Sequence, residues 1–160
     1  MLDQANSRTI VASLQLPLGS YAIVSGMLMA EHGLRHNYSD IDLLVTPLLY
    51  EELLTTWKVA NKGSTKPHKT PTKAVCGIRI EAFASINFQD SIKAVEYIAR
   101  AELHNGLPFI RLADMLEWKE SYAFNLPDDK AERHIRDIEL MRKALGVVAP
   151  NLFSWDFSWK

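Results

Sequence analysis

The sequence predicts an α/β domain with a short mixed sheet flanked by helices and followed by C-terminal helices. Three observations carry this. Residues 21–24, YAIV, form a short apolar run between turn residues, and a small-residue pair and the helix-favouring MLMAEHG follow at once. A polar loop, RHNYS, then leads into DIDLLV, a second buried-strand pattern that starts with two acids. From residue 112 to 145 the chain is helical in pattern, with a break at Asn125-Leu126-Pro127 and a stop at Gly146.

The remaining elements are read in chain order. Residues 2–14 carry apolar side chains at helical spacing until Pro17 and Gly19 interrupt them. After DIDLLV, Pro47 opens a helix over 48–59, LLYEELLTTWKV, with apolar residues at three- and four-residue steps. Residues 61–73, NKGSTKPHKTPTK, hold two prolines, a glycine, four lysines and a histidine, and read as a surface loop; the alternative is a basic loop beside an anionic substrate. Residues 74–84, AVCGIRIEAFA, read as a third strand with Ile78, Ile80 and Ala82 on one face and Arg79, Glu81 and Phe83 on the other. Cys76 is expected to be a small core residue there. Residues 95–103 and 107–110 flank His104-Asn105-Gly106, a hairpin signal. We expect one domain over 1–160: an α/β core at about 18–111, C-terminal helices at about 112–145, and a tail at 146–160 that carries two of the four tryptophans.

Composition narrows function by exclusion. The 160 residues are 48% hydrophobic and 23% charged, ordinary globular values, and the formal net charge of -1 points to no nucleic-acid track or acidic membrane. One cysteine excludes an internal disulfide and a cysteine zinc cluster, which favours a cytoplasmic setting. The first ten residues lack the basic and apolar regions of a signal peptide, and no apolar run approaches the roughly 20 residues that span a bilayer.

Asp40 and Asp42 are two apart in a strand and so project together, while Ile41 and Leu43 face the core. Like charges at that spacing repel unless a cation intervenes, and a hard divalent ion such as Mg²⁺ removes the conflict. If the strand of Glu81 lies beside DIDLLV, its carboxylate joins the pair, and three acids can hold one or two Mg²⁺ ions that clamp a phosphoryl displacement. The bland readings are a solvated strand start for Asp40 and Asp42, and an ion pair with Arg79 or a loop lysine for Glu81. Ser25-Gly26, between strand and helix, lets a phosphate approach backbone N–H groups. His32 reads as a helix-end residue, and Arg133 and Asp137 as a pair across one helical turn.

These residues resemble the nucleotidyltransferase superfamily, and more closely its small bacterial members, whose stretch commonly resembles GG-x-A-x-x-x-HG ending in DIDL. The letters here are Ser25-Gly26, Ala30, His32-Gly33 and Asp40-Ile41-Asp42-Leu43. ADMLEWKES and HIRDIELMRKAL also look like the helical C-terminal part of those proteins, and the resemblance spans most of residues 20–145. It implies transfer of a nucleoside monophosphate from an NTP to an acceptor hydroxyl on a small molecule, RNA or protein. Asp40, Asp42 and Glu81 would hold Mg²⁺ (or Mn²⁺), with Glu81 taking the acceptor proton. Ser25, Gly26 and Lys119 would bind the nucleotide's phosphates; the bland reading of Lys119 is a solvated helix lysine. The resemblance also leaves room for a module of this fold that binds without turnover, or a toxin or defence component with a protein partner. Ser25 departs from the family's usual glycine, and a positive φ there would strain a serine.

Overall fold

The computed structural model describes residues 3–62, 68–86, 90–122 and 128–147. Three strands form the centre of its sheet: β1 (Tyr21–Val24), β2 (Asp40–Val45) and β5 (Ile78–Phe83). β1 runs antiparallel to β2, with Val24 opposite Asp42 and Tyr21 opposite Val45. β2 runs parallel to β5, with Asp40 opposite Arg79 and Asp42 opposite Glu81. A parallel pair needs a crossover connection. Here it holds helix α3 (Pro47–Thr56) and strands β3 (Lys58–Lys62) and β4 (His68–Val75). The full order is β3-β4-β5-β2-β1-β7-β6, with β6 at Glu102–His104 and β7 at Leu107–Phe109.

Ile23, Ile41, Leu43, Leu44 and Ile80 are wholly buried. Burying one such side chain contributes about 1.5–3 kcal/mol, so these three strands anchor the unit. Helix α1 (Gln4–Ser13) is tied to α2 (Ser25–Glu31) by Gln4 Nε2 donating to the Ala30 carbonyl at 2.6 Å and by an Arg8–Glu31 ion pair. Tyr38 donates its hydroxyl to Ser7 at 2.7 Å and so ties the loop before β2 to α1. α2 ends in a Schellman arrangement, with Gly33 at φ +69°, its N–H on the Ala30 carbonyl, and the Leu34 N–H on the Met29 carbonyl. Thr46 caps α3, and Asp90 caps α4 (Ser91–Ala99) by accepting from the Lys93 N–H at 2.7 Å. Arg100, at the end of α4, holds Asp114 through two hydrogen bonds of 3.0 and 3.2 Å.

The chain divides into two compact units, Met1–Met115 and Leu116–Lys160. Helix α5 (Leu112–Tyr122) crosses that boundary, and α6 (Asp128–Leu145) lies in the second unit. There Lys119 Nζ is 2.8 Å from Asp137 Oδ2 and 3.0 Å from His134 Nδ1, and Lys119 and Asp137 are both buried. Arg142 pairs with Glu120 at 2.9 Å. Among the described residues no helix is long and apolar enough to cross a membrane. The tryptophan-bearing tail from 148 on, and the Asn125-Leu126-Pro127 break, lie outside the described residues.

Several elements differ from the sequence expectation. The helix expected over 48–59 stops at Thr56, and the chain turns at Trp57 into β3. The segment expected to be a loop over 61–73 contributes to β3 and β4 on both sides of residues 63–67, which lie outside the described residues. Its prolines masked the strand: Pro71 sits inside β4 opposite Val59, where β4 pairs with β3 but its register with β5 has not yet begun. The strand expected over 74–84 is broken by Cys76 (φ +51°) and Gly77 (φ +77°), a two-residue turn joining β4 to β5. Cys76 is therefore exposed and not a core residue. Part of the run over 95–103, expected to flank the hairpin, is helix α4. The Asn105-Gly106 hairpin is present, with both residues at positive φ.

Two outcomes are expected. Asp137→Ala leaves the Lys119 ammonium buried beside His134 and is expected to cost about 3–5 kcal/mol in a denaturant titration; a loss below about 1 kcal/mol would mean that the pair is well hydrated. Burial and the neighbouring His104 hold the His32 pKa below its ordinary value, against the opposing pull of Glu31 and Glu102. The unfolded chain then takes up this proton first, so stability is lost as pH falls below about 6.5. A His32→Gln variant is expected to lose less stability than the parent between pH 7.5 and pH 5.5; an equal loss in both would assign the effect to other groups.

Candidate functional site

The site is built on the β2–β5 pairing. Alternation along each strand, with the register Asp40–Arg79 and Asp42–Glu81, puts Asp40, Asp42, Arg79 and Glu81 on one face of the sheet. The opposite face carries Ile41, Leu43, Ile80 and Ala82, all buried. Neighbouring strands lie about 4.8 Å apart, so Asp42 and Glu81 are adjacent backbone positions.

Arg79 organises the charges. Its Nη2 is 2.8 Å from Asp40 Oδ2, and its Nε is 3.1 Å from Glu81 Oε1. The Asp40 hydrogen bond first, then the charges of Glu81, Asp40 and Asp42, raise its pKa above the ordinary arginine value. Glu81 is 3% exposed, whereas the Arg79 side chain is 56% exposed. A buried glutamate is thus paired with an arginine whose side chain is largely in solvent. The ion-pair reading of Glu81 is met by Arg79, and the same guanidinium also holds Asp40. Glu81 is not at a sheet edge, because β5 lies between β4 and β2.

Among the described residues, no group of three or more His, Cys, Asp or Glu side chains is placed to hold a metal ion. Three carboxylates share one face of the sheet, and a positive charge bridges two of them. Arg79 supplies that charge here.

The β1–α2 turn carries the strain that its sequence suggested. Ser25 has φ +56°, a left-handed conformation that costs an L-residue about 1–2 kcal/mol. Gly26 is buried, and a Cβ on it would stand 2.7 Å from Tyr38 Cβ and 3.3 Å from Arg35 Nη1. The missing side chain therefore makes room for Tyr38 and for the Arg35 guanidinium beside the turn. Sequence reasoning did not single out Arg35 or Tyr38; the RHNYS loop offered no periodicity to set them apart. Lys119 belongs to the second unit, bonded to Asp137 and His134, and its burial overturns the solvated-helix reading. Asp137 pairs with Lys119 across two helices, where a same-helix partner, Arg133, was expected.

Ser25→Gly is expected to stabilise the protein by about 1 kcal/mol, because it removes the left-handed penalty. Gly26→Ala is expected to destabilise it by about 1–3 kcal/mol through the clash with Tyr38. Urea titration of both variants checks the pair; a destabilised Ser25→Gly would show that the serine side chain contributes more than its strain costs.

No family model matches the chain, and no curated protein matches it. Among solved structures, a protein of Thermotoga maritima described as a "putative nucleotidyltransferase (TM1012)" is similar, at 17% identity and a TM-score of 0.52. The match covers 91% of this chain and 96% of that one. The seven-stranded mixed sheet, its flanking helices and this likeness give the chain a nucleotidyltransferase-like fold.

Proposed function

We propose that the protein is a nucleotidyltransferase that uses Mg²⁺ (or Mn²⁺) to move a nucleoside monophosphate from an NTP to an acceptor hydroxyl. The observation that carries this reading is the register of β2 and β5, which gathers Asp40, Asp42 and Glu81 on one face with Arg79 as their counter-charge. Asp40 and Asp42 would hold the ion with help from Glu81, once Arg79 moves outward. When bound, the ion neutralises charge on the transferring phosphoryl group. Glu81, buried beside Asp42, would accept the acceptor's hydroxyl proton as the new O–P bond forms. The bond between the α-phosphorus and its bridging oxygen breaks, and pyrophosphate leaves. Ser25 and Gly26 would present backbone N–H groups to the phosphates. Lys119 is committed to Asp137 and His134, so phosphate binding is not asked of it.

The left-handed Ser25 favours a second reading, a module of the same fold that binds nucleotide without turnover. Turnover of labelled NTPs with cell extract as the acceptor source separates the two.

Three measurements test the proposal. Asp42→Asn is expected to cost about 100-fold or more in turnover while leaving the fold intact, since it relieves like-charge crowding. Arg79→Ala is expected to lower the melting temperature without divalent ions, with Mg²⁺ raising it more than in the parent. Calorimetric titration with the four NTPs should show binding that depends on Mg²⁺. No Mg²⁺ effect on melting or on NTP binding would end the metal reading.

A further inference from the structure

The net charge of -1 conceals an uneven division. Residues 53–80 hold six of the 18 Lys and Arg residues and none of the 19 Asp and Glu residues, which leaves 12 cations against 19 acids, a net -7, elsewhere. Four of the six belong to β3 and β4, the ribbon at one edge of the sheet. Where Ala60 and Asn61 pair with Thr70 and Lys69, β4 has no register with β5, so the ribbon runs on past the central strands.

Lys58, Lys69 and Lys73 are exposed, and among the described residues none of them pairs with a carboxylate. The Lys73 ammonium lies instead 5.9 Å from the centre of the Trp57 ring. Arg8, Arg79, Arg100 and Arg111, in the same unit, each pair with an acid. Lysines kept off the chain's own carboxylates leave a positive field at this edge.

One row of the register ties the ribbon to the acids. Lys58 is opposite Thr72, Thr72 opposite Glu81, and Glu81 opposite Asp42. Facing positions share a side of the sheet, so Lys58 stands on the acid face, about 10 Å across it from Glu81. Lys69 and Lys73 fall on the other face by alternation, Lys73 being opposite Ile80.

We propose that this ribbon binds a single-stranded nucleic acid, DNA or RNA, through its phosphates. A single strand is flexible and can follow an edge whose cations lie on both sides; a duplex is a stiff rod that meets one side. A membrane surface or a protein partner needs apolar anchors, and Val59 is the one exposed large apolar side chain among the described residues of the ribbon. The Lys58 row leads such a strand toward Glu81, so its terminal hydroxyl suits the acceptor. That role rests on the transferase reading; the binding itself does not.

The test uses the full chain without NTP or divalent ion. Fluorescent single-stranded RNA and DNA of about 20 nucleotides, and the matching duplex, are titrated by anisotropy at several salt concentrations. Both single strands are expected to bind with Kd of roughly 10 μM at low salt, with a log–log salt slope of about -2, and the duplex several-fold more weakly. Replacing Lys58, Lys69 and Lys73 together by Gln is expected to weaken binding about tenfold or more and to flatten the slope, while Lys143→Gln leaves both unchanged. Circular dichroism checks that the triple variant is folded. Lysines also guard sheet edges against pairing with another chain. A triple variant that self-associates, in a protein that binds no oligonucleotide, would assign them that role and overturn the proposal. Binding indifferent to salt or to the triple variant, or equal capture by phosphatidylserine vesicles, would overturn it too. Oligonucleotide binding without NTP turnover would remove the acceptor role and leave the surface; turnover without oligonucleotide binding would remove the surface and leave the transferase reading.

Discussion

The parallel pairing of β2 with β5 is the constraint on which the rest depends. A one-residue slip of β5 against β2 would turn Arg79 and Glu81 into the core and bring Ile80 and Ala82 to the face of Asp40 and Asp42. The apolar face enforces the register because its residues are fully buried, and the acids are brought together as a consequence. Bringing them together costs Coulomb repulsion, which Arg79 offsets by bonding Asp40 and Glu81 from a position opposite Asp40. The hydrophobic pattern fixes where the charges stand, and Arg79 offsets part of their repulsion.

The turn after β1 shows a second balance. Ser25 is held in a left-handed conformation that it would not choose alone. What holds it is the packing around α2, where Met27 to Ala30 are buried, the Ala30 carbonyl accepts from Gln4, and Tyr38 fills the space above Gly26. Local strain next to the charged face is thus maintained by tertiary contacts, not by the preference of the residue itself.

Much of the centre was legible in the sequence. YAIV and DIDLLV are short, apolar and bounded by turn residues, and both form strands over those residues. The helix expected from about 128 to 145 spans Asp128–Leu145, and Gly146 follows at positive φ. The periphery was less legible because its signals conflict. β4 is polar and contains Pro71, and it becomes a strand through its neighbours and not its own pattern. The Cys76-Gly77 turn was hidden inside a run of apolar residues, and α4 overlaps a stretch read as the flank of a hairpin. Of the site, alternation foretold the shared face of the acids, but only the register revealed that Arg79 bridges two of them. The burial of Lys119 depends on helix packing that no local spacing discloses.

The hairpin that joins β4 to β5 has a practical side. Its tip carries the chain's single cysteine, exposed to solvent, three residues before Arg79. A maleimide dye or nitroxide attached there would label one defined atom and report from the strand that bears Arg79 and Glu81. The same thiol can cross-link two copies under oxidising conditions, so handling the protein calls for a reductant until the label is in place.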